Sequence, residues 1–302
     1  MKNLIATCSC VNYKAWGSIL KRLKCNNLSS LRSYFSAFVA SQLYGHIFVE
    51  IELERIREAI GIFMRKIFSL PSSFPFVVSE AILGLKPFET TCFYQRVSYF
   101  RRTESQTDTV TFGSLSTDRC ELMKHDIGIS AVFGRSLVKL SLPYFSDYED
   151  VSLYEKVSRI VLDSFKNSLM RSEANIFWSQ LEIDGRIPPE LASIFSALPY
   201  EQARILLLFL GNMLRWSALT QPSEVCFLCP AKFYSTHFFA CGQVQTSSSL
   251  SDFSSAIINR EYVTLVKRIF VTLNEWTTAH PGKFVFRFRW NVLSFFDNVV
   301  VA

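Results

Sequence analysis

From Ile51 to Leu70 the apolar residues Ile56, Ile60, Phe63 and Ile67 stand four, three and four positions apart. That spacing places them on one face of an amphipathic helix. Glu54, Arg57, Glu58 and Arg65 fall among its polar positions, and Leu70-Pro71-Ser-Ser-Phe-Pro75 ends it, because the residue before a proline is pushed out of the helical region. Its neighbours read the same way. Residues 11–45 form two helices broken at Asn26-Asn27, the second starting near Ser29 or Ser30 and ending at Tyr44-Gly45. Serine is a good helix cap, since its hydroxyl accepts from a free amide of the first turn. A short helix from about Pro75 to Leu83 ends at Gly84, and another runs from near Phe88 to Arg101-Arg102. Residues 11–102 therefore read as one helical unit, closed by an aperiodic Ser/Thr/Asp-rich linker at 103–120.

The rest of the chain continues in this style, and the fold class expected is mainly α. Residues 121–220 form a helical connecting region with helices at Tyr154–Asn167, Glu173–Leu181 and Tyr200–Trp216. Residues 221–243 are a loop-rich segment, and the serines of 243–255 mark a second polar linker. Within 244–302 a last helix spans Glu261 to Thr277, and Phe284–Trp290 alternates Phe and Val with Arg as a strand-like tail. Hydrophobic residues make up 49% of the chain and charged residues 19%, which supplies a core and excludes whole-chain disorder. The longest apolar run, Ile205–Leu214, is interrupted by Gly211-Asn212 and bounded by Arg204 and Arg215. It falls short of the roughly 18–20 residues a membrane span needs and reads as a buried helix. The apolar stretch at the N-terminus is too short for a signal peptide. Eight unevenly spaced cysteines suit a reducing, intracellular compartment.

Charge is unevenly spread. Residues 1–102 hold 14 Lys and Arg against 6 Asp and Glu, while residues 103–225 hold 11 against 16. A basic first third fits a polyanionic partner, because phosphate contacts dominate affinity for nucleic acid; a solvated basic helix surface gives the same charge.

One window carries coordination chemistry. Cys226-Phe-Leu-Cys229 is followed by His237-Phe-Phe-Ala-Cys241, giving C-x2-C-x7-H-x3-C. A Cys-x-x-Cys pair sets two thiolates on a tight knuckle, and zinc takes four such donors in a tetrahedron. The i, i+4 spacing of His237 and Cys241 points both donors to one side of a helical turn. Zn2+ held by Cys226, Cys229, His237 and Cys241 would be structural, since four protein donors leave no open position. The alternative is a buried Cys/His cluster without metal. The segment 221–243 is too small to bury a core of its own, so metal should supply much of its order. Elsewhere Cys8 and Cys10 lack local partners, His46, His125 and His280 are isolated, and no Gly-rich phosphate loop occurs.

Two stretches together resemble a known family. Leu28-Ser-Ser-Leu-Arg-Ser-Tyr-Phe-Ser-Ala-Phe-Val-Ala-Ser-Gln-Leu-Tyr44-Gly45 is similar to the helix after the polymerase palm in non-LTR retrotransposon reverse transcriptases. Leu53-Glu-Arg-Ile, Phe63-Met-Arg-Lys-Ile-Phe-Ser-Leu-Pro71-Ser-Ser-Phe-Pro75 and Ser79-Glu-Ala-Ile-Leu-Gly-Leu-Lys-Pro87 follow in the family's order. The Cys-Cys-His-Cys window resembles the motif those proteins carry after the thumb, with one residue fewer before the last cysteine. The resemblance covers about 11–102 and 195–241. It implies a helical thumb-like unit that holds a duplex by its backbone with little sequence preference, followed by a helical region with a small zinc knuckle. Lys14, Lys21, Arg22, Lys24, Arg65, Lys66, Arg96, Arg101 and Arg102 would then contact RNA or DNA phosphates; solvated helix faces are the other reading of the same residues. Polymerases of this family hold two metal ions on an aromatic-x-Asp-Asp turn, and no Asp-Asp pair occurs here. The expectation is a non-catalytic remnant that binds nucleic acid and has no membrane partner. The alternatives are a domesticated protein-interaction module, using Phe-rich surfaces, and a decayed copy with no selected function.

Overall fold

The structure is a computed structural model that describes residues 18–35, 53–84, 187–214, 225–231 and 234–283, with residue 37 and scattered helical positions between 134 and 167. Among these residues it is mainly helical, with no strand. Following a helical turn at 18–22, the named helices are α1 (Leu28–Tyr34), α2 (Leu53–Phe68), α3 (Phe76–Leu83), α4 (Pro189–Ala197), α5 (Tyr200–Leu210), α6 (Leu250–Ile258) and α7 (Tyr262–Ala279). A 3-10 helix, Ser235–Phe239, lies between α5 and α6.

Local chemistry explains most of these boundaries. Asn27 caps α1 by accepting from the Ser30 amide at 2.9 Å, so the helix starts one or two residues before the serines expected to begin it. α2 forms where the stripe was expected, and Phe63 and Ile67 of that stripe are fully buried. α3 begins after Pro75 and ends at Gly84, whose φ of 59° is the left-handed conformation that glycine tolerates best. α5 stops at Leu210, short of the Trp216 limit expected. Gly211 follows as its C-cap and Asn212 turns left-handed at φ 55°.

Residues 243–255 are not a linker. Ser249 accepts from the Asp252 amide while the Asp252 carboxylate accepts from the Ser249 amide, a complete capping box that starts α6. Phe253, Ala256 and Ile257 then bury one face. Ser247 is fixed as well, its amide donating to the Glu275 carboxylate on α7. The serines are caps and ties. The last helix, α7, lies where expected. Helix α4 was not singled out in the sequence, although Pro189 at its first position suits a helix start. The positions described between 155 and 167 are helical, as expected there. The helices expected at 88–102 and 173–181, the linker at 103–120 and the tail at 284–290 lie outside the described residues. No described helix is long and apolar enough to cross a membrane.

One buried cluster runs from Leu20 to Trp276. Helix α2 packs on α3, α3 on α1, α4 on both α1 and α7, and α6 on α7. Helix ends leave carbonyls without intrahelical partners, and here those carbonyls stitch distant segments together. At the end of α3, Leu83 accepts from the Arg32 side chain at 2.7 Å and Ala81 from the Ile187 amide at 3.2 Å. Near the end of α2, Ile67 accepts from the Tyr200 hydroxyl. At the end of α4, the carbonyls of Phe195 and Leu198 accept from the Asn26 amide group. Phe68 adds a stacked contact with Tyr200, ring centroids 5.6 Å apart.

Gly211 marks the tightest contact. A Cβ added there would lie 2.3 Å from Cε2 of Phe74, a ring that is itself 2% exposed. The φ of −83° is ordinary, so the need for glycine is steric alone. Gly211→Ala should therefore cost about 1–3 kcal/mol, the usual price of overpacking a filled core. Urea denaturation of the full chain measures it, and a midpoint equal to that of the unsubstituted chain would show that the ring has room to move.

Candidate metal centre

Two short pieces of backbone aim the four donors. The first is the turn 225–231, closed where the Cys226 amide donates to the Ala231 carbonyl at 2.9 Å. Inside it the Leu228 amide points at Cys226 Sγ, 3.4 Å away. The second is the 3-10 helix. Its first turn is set by the His237 amide donating to Tyr234 at 2.8 Å, and the Cys241 amide then reaches back to the His237 carbonyl at 3.0 Å. That bond puts Cys241 one turn beyond His237, the relation that the i, i+4 spacing implied.

The result is a closed cluster. One ligand atom from each of Cys226, Cys229, His237 and Cys241 lies within 4.8 Å of the other three. Cys226 Sγ is 4.0 Å from Cys241 Sγ, Cys241 Sγ 3.9 Å from Cys229 Sγ, and Cys229 Sγ 3.4 Å from His237 Nε2. The arrangement is compatible with a metal site.

Electrostatics favour a cation at the centre. Burial keeps the His237 imidazole neutral by lowering its pKa, which leaves a ring nitrogen lone pair available to a metal. Burial also pushes the Cys241 thiol up to about 11, with the neighbouring Cys226 sulfur adding to the rise. A hydrogen bond from the Ala231 backbone acts the other way on Cys229 and holds its thiol below the ordinary value. Three thiolates around a divalent ion leave one net negative charge, and amides aimed at the sulfurs offset it.

The cluster does not stand alone. Too small for a core of its own, as expected, the described part of 221–243 shares the main one. Cys226, Phe238, Phe239, Cys241 and Val244 all belong to the buried cluster. The Trp276 indole donates to the Phe238 carbonyl at 2.9 Å, and the Phe238 and Trp276 rings meet edge to face at 5.2 Å. Phe239 packs on Phe253 of α6 at 4.8 Å. Asn212 Oδ1 accepts from the Ser235 amide at 2.6 Å and fixes the start of the 3-10 helix. Trp276 and Asn212 are supporting residues that the motif did not reveal. Trp276 does sit on the apolar stripe of α7, but nothing local ties it to a carbonyl 38 residues earlier.

The basic candidates divide. Lys21, Arg22, Lys24 and Lys66 are exposed. Arg65 is half-buried and its guanidinium donates to the Ser72 carbonyl, bracing the turn after α2. Lys14, Arg96, Arg101 and Arg102 lie outside the described residues. Comparison with protein-family models, with curated proteins and with solved structures finds no match.

Metal uptake should release protons. A thiol whose pKa is about 11 is protonated at pH 7 and must lose its proton to ligate, so Cys241 alone contributes close to one. His237, neutral already, contributes little. Affinity should therefore rise with pH through the neutral range. Titration calorimetry at pH 7 in buffers of different ionisation enthalpy should give at least one proton released per metal; a value near zero would contradict the burial argument.

Proposed function

We propose that this chain is a non-catalytic binding protein derived from the thumb and knuckle region of a non-LTR retrotransposon reverse transcriptase. In this reading one structural Zn2+ is held by Cys226, Cys229, His237 and Cys241, and RNA or DNA is held through its backbone by basic helices. The observation that carries it is the convergence of the four donors. A tetrahedral zinc with bonds of about 2.3 Å to sulfur and about 2.0–2.1 Å to nitrogen has S–S edges of about 3.8 Å and S–N edges of about 3.5 Å. The separations of 4.0, 3.9 and 3.4 Å lie close to those values. Four protein donors leave no coordination position for water, so the ion organises the fold and performs no chemistry.

Support for the nucleic-acid half is the exposure of Lys21, Arg22 and Lys24 on one short helical turn and its exit, together with Lys66. Such residues meet phosphates and carry no base-reading geometry, which suits binding without sequence preference. The protein-interaction alternative needed aromatic surface. Among the described residues Phe63, Phe68, Phe74, Phe195, Phe209, Phe253 and Trp276 are instead buried, and Tyr34 is the aromatic that stands exposed.

Elemental analysis of the purified chain should give one zinc per molecule. Mixed-sequence RNA and DNA duplexes should bind with log Kd depending on log salt at about 0.7–0.9 per phosphate contact. Replacing Lys21, Arg22 and Lys24 together by glutamate should flatten that slope and weaken binding at least tenfold at low salt. Primer extension with Mg2+ or Mn2+ should give no product. Salt-independent binding, or templated synthesis above a heat-killed control, would falsify the respective half of the proposal.

A further inference from the structure

The four donors are unequally placed. Cys226, His237 and Cys241 are buried, whereas Cys229 is half-exposed and followed by the exposed residues Pro230 and Ala231. An oxidant arriving from solvent therefore meets Cys229 first. Its sulfur lies 3.9 Å from Cys241 Sγ, and a disulfide would bring the two to roughly 2.05 Å. The Cys226 sulfur is buried, already accepts from the Leu228 amide, and has its own close contact with Cys241 at 4.0 Å.

We infer that Cys229 is an oxidation site for hydroperoxides, that Cys241 resolves it, and that the resulting Cys229–Cys241 disulfide expels the metal. The metal-release step rests on the zinc reading above. In the first step the Cys229 thiolate attacks one peroxide oxygen. An S–O bond forms, the O–O bond breaks, and the departing oxygen leaves as alkoxide or hydroxide and takes a proton from water. The product is Cys229 sulfenic acid. In the second step the Cys241 sulfur gives up its proton and attacks that sulfur, the S–S bond forms, the S–O bond breaks, and the departing hydroxide takes the proton and leaves as water. The two sulfurs lose two electrons between them, and the peroxide gains both. Only Cys226 and His237 remain as donors, too few for a tetrahedral site.

The test is disulfide mapping on the full chain. Cys226 and Cys229 share one tryptic peptide, and Lys232 separates it from the peptide of Cys241. Zinc-loaded protein is treated with one to two equivalents of hydrogen peroxide, alkylated and digested, with released zinc measured by a chromogenic chelator. The expected result is a cross-link between the two peptides that fragmentation places at Cys229, with Cys226 alkylated and one zinc freed per disulfide. Dithiothreitol with added zinc should restore the starting state. A Cys226–Cys229 loop, a Cys226–Cys241 link, or zinc loss with sulfinic acid and no disulfide overturns the inference. The zinc-free chain is mapped in parallel. If the chain takes up no zinc yet still forms the Cys229–Cys241 link, the zinc reading and its release step fail, while the oxidation site stands.

Discussion

Trp276 joins the C-terminal half of this protein together. It is fully buried on α7, and its ring lies against Phe227, His237, Phe238 and His280. An indole buried this deeply needs a partner for its N–H, because an unmade hydrogen bond in the interior costs about 1–3 kcal/mol. The Phe238 carbonyl supplies it. That hydrogen bond helps to set the 3-10 helix against α7, and with it His237 and Cys241. The turn that carries these donors is held by the same core that holds the helices.

That coupling changes what a metal would do here. In a freestanding knuckle, binding free energy is folding free energy. In this protein Phe238 and Phe239 are already packed against α5, α6 and α7 through Phe209, Phe253 and Trp276. A cation would instead relieve a local conflict, three sulfurs and an imidazole gathered within 4.8 Å of one another in a largely buried pocket. The opposite effects of burial on Cys241 and of the Ala231 hydrogen bond on Cys229 express that conflict. Ligation by a divalent ion satisfies both sulfurs at once.

Helix α4 does for the N-terminal helices what Trp276 does for the knuckle. It touches both α1 and α7, and its terminal carbonyls accept from Asn26 while Ser196 Oγ accepts from the Leu28 amide at 3.1 Å. The N-terminal helices are thus tied to residues more than 160 positions later by groups that would otherwise remain unsatisfied. Apolar burial through Phe68, Phe195 and Tyr200 reinforces the same junction.

The sequence by itself determined the elements whose signals are local. The stripe of α2, the glycine stop of α3 and the extent of α7 were legible because helix periodicity and capping act over a few residues. The membership of the metal cluster was legible too, since cysteine and histidine spacing encodes it directly. Where a local signal was ambiguous, the reading failed. The serines before α6 looked like linker composition until the reciprocal pairing of Ser249 with Asp252 made them a helix start. Tertiary structure alone decided that Trp276 and Asn212 support the site, that Gly211 must admit the Phe74 ring, and that Cys229 is the outermost ligand. The physical reason is common to all of these. Burial and long-range hydrogen bonds depend on which surfaces meet across the fold, and no window of neighbouring residues contains that information.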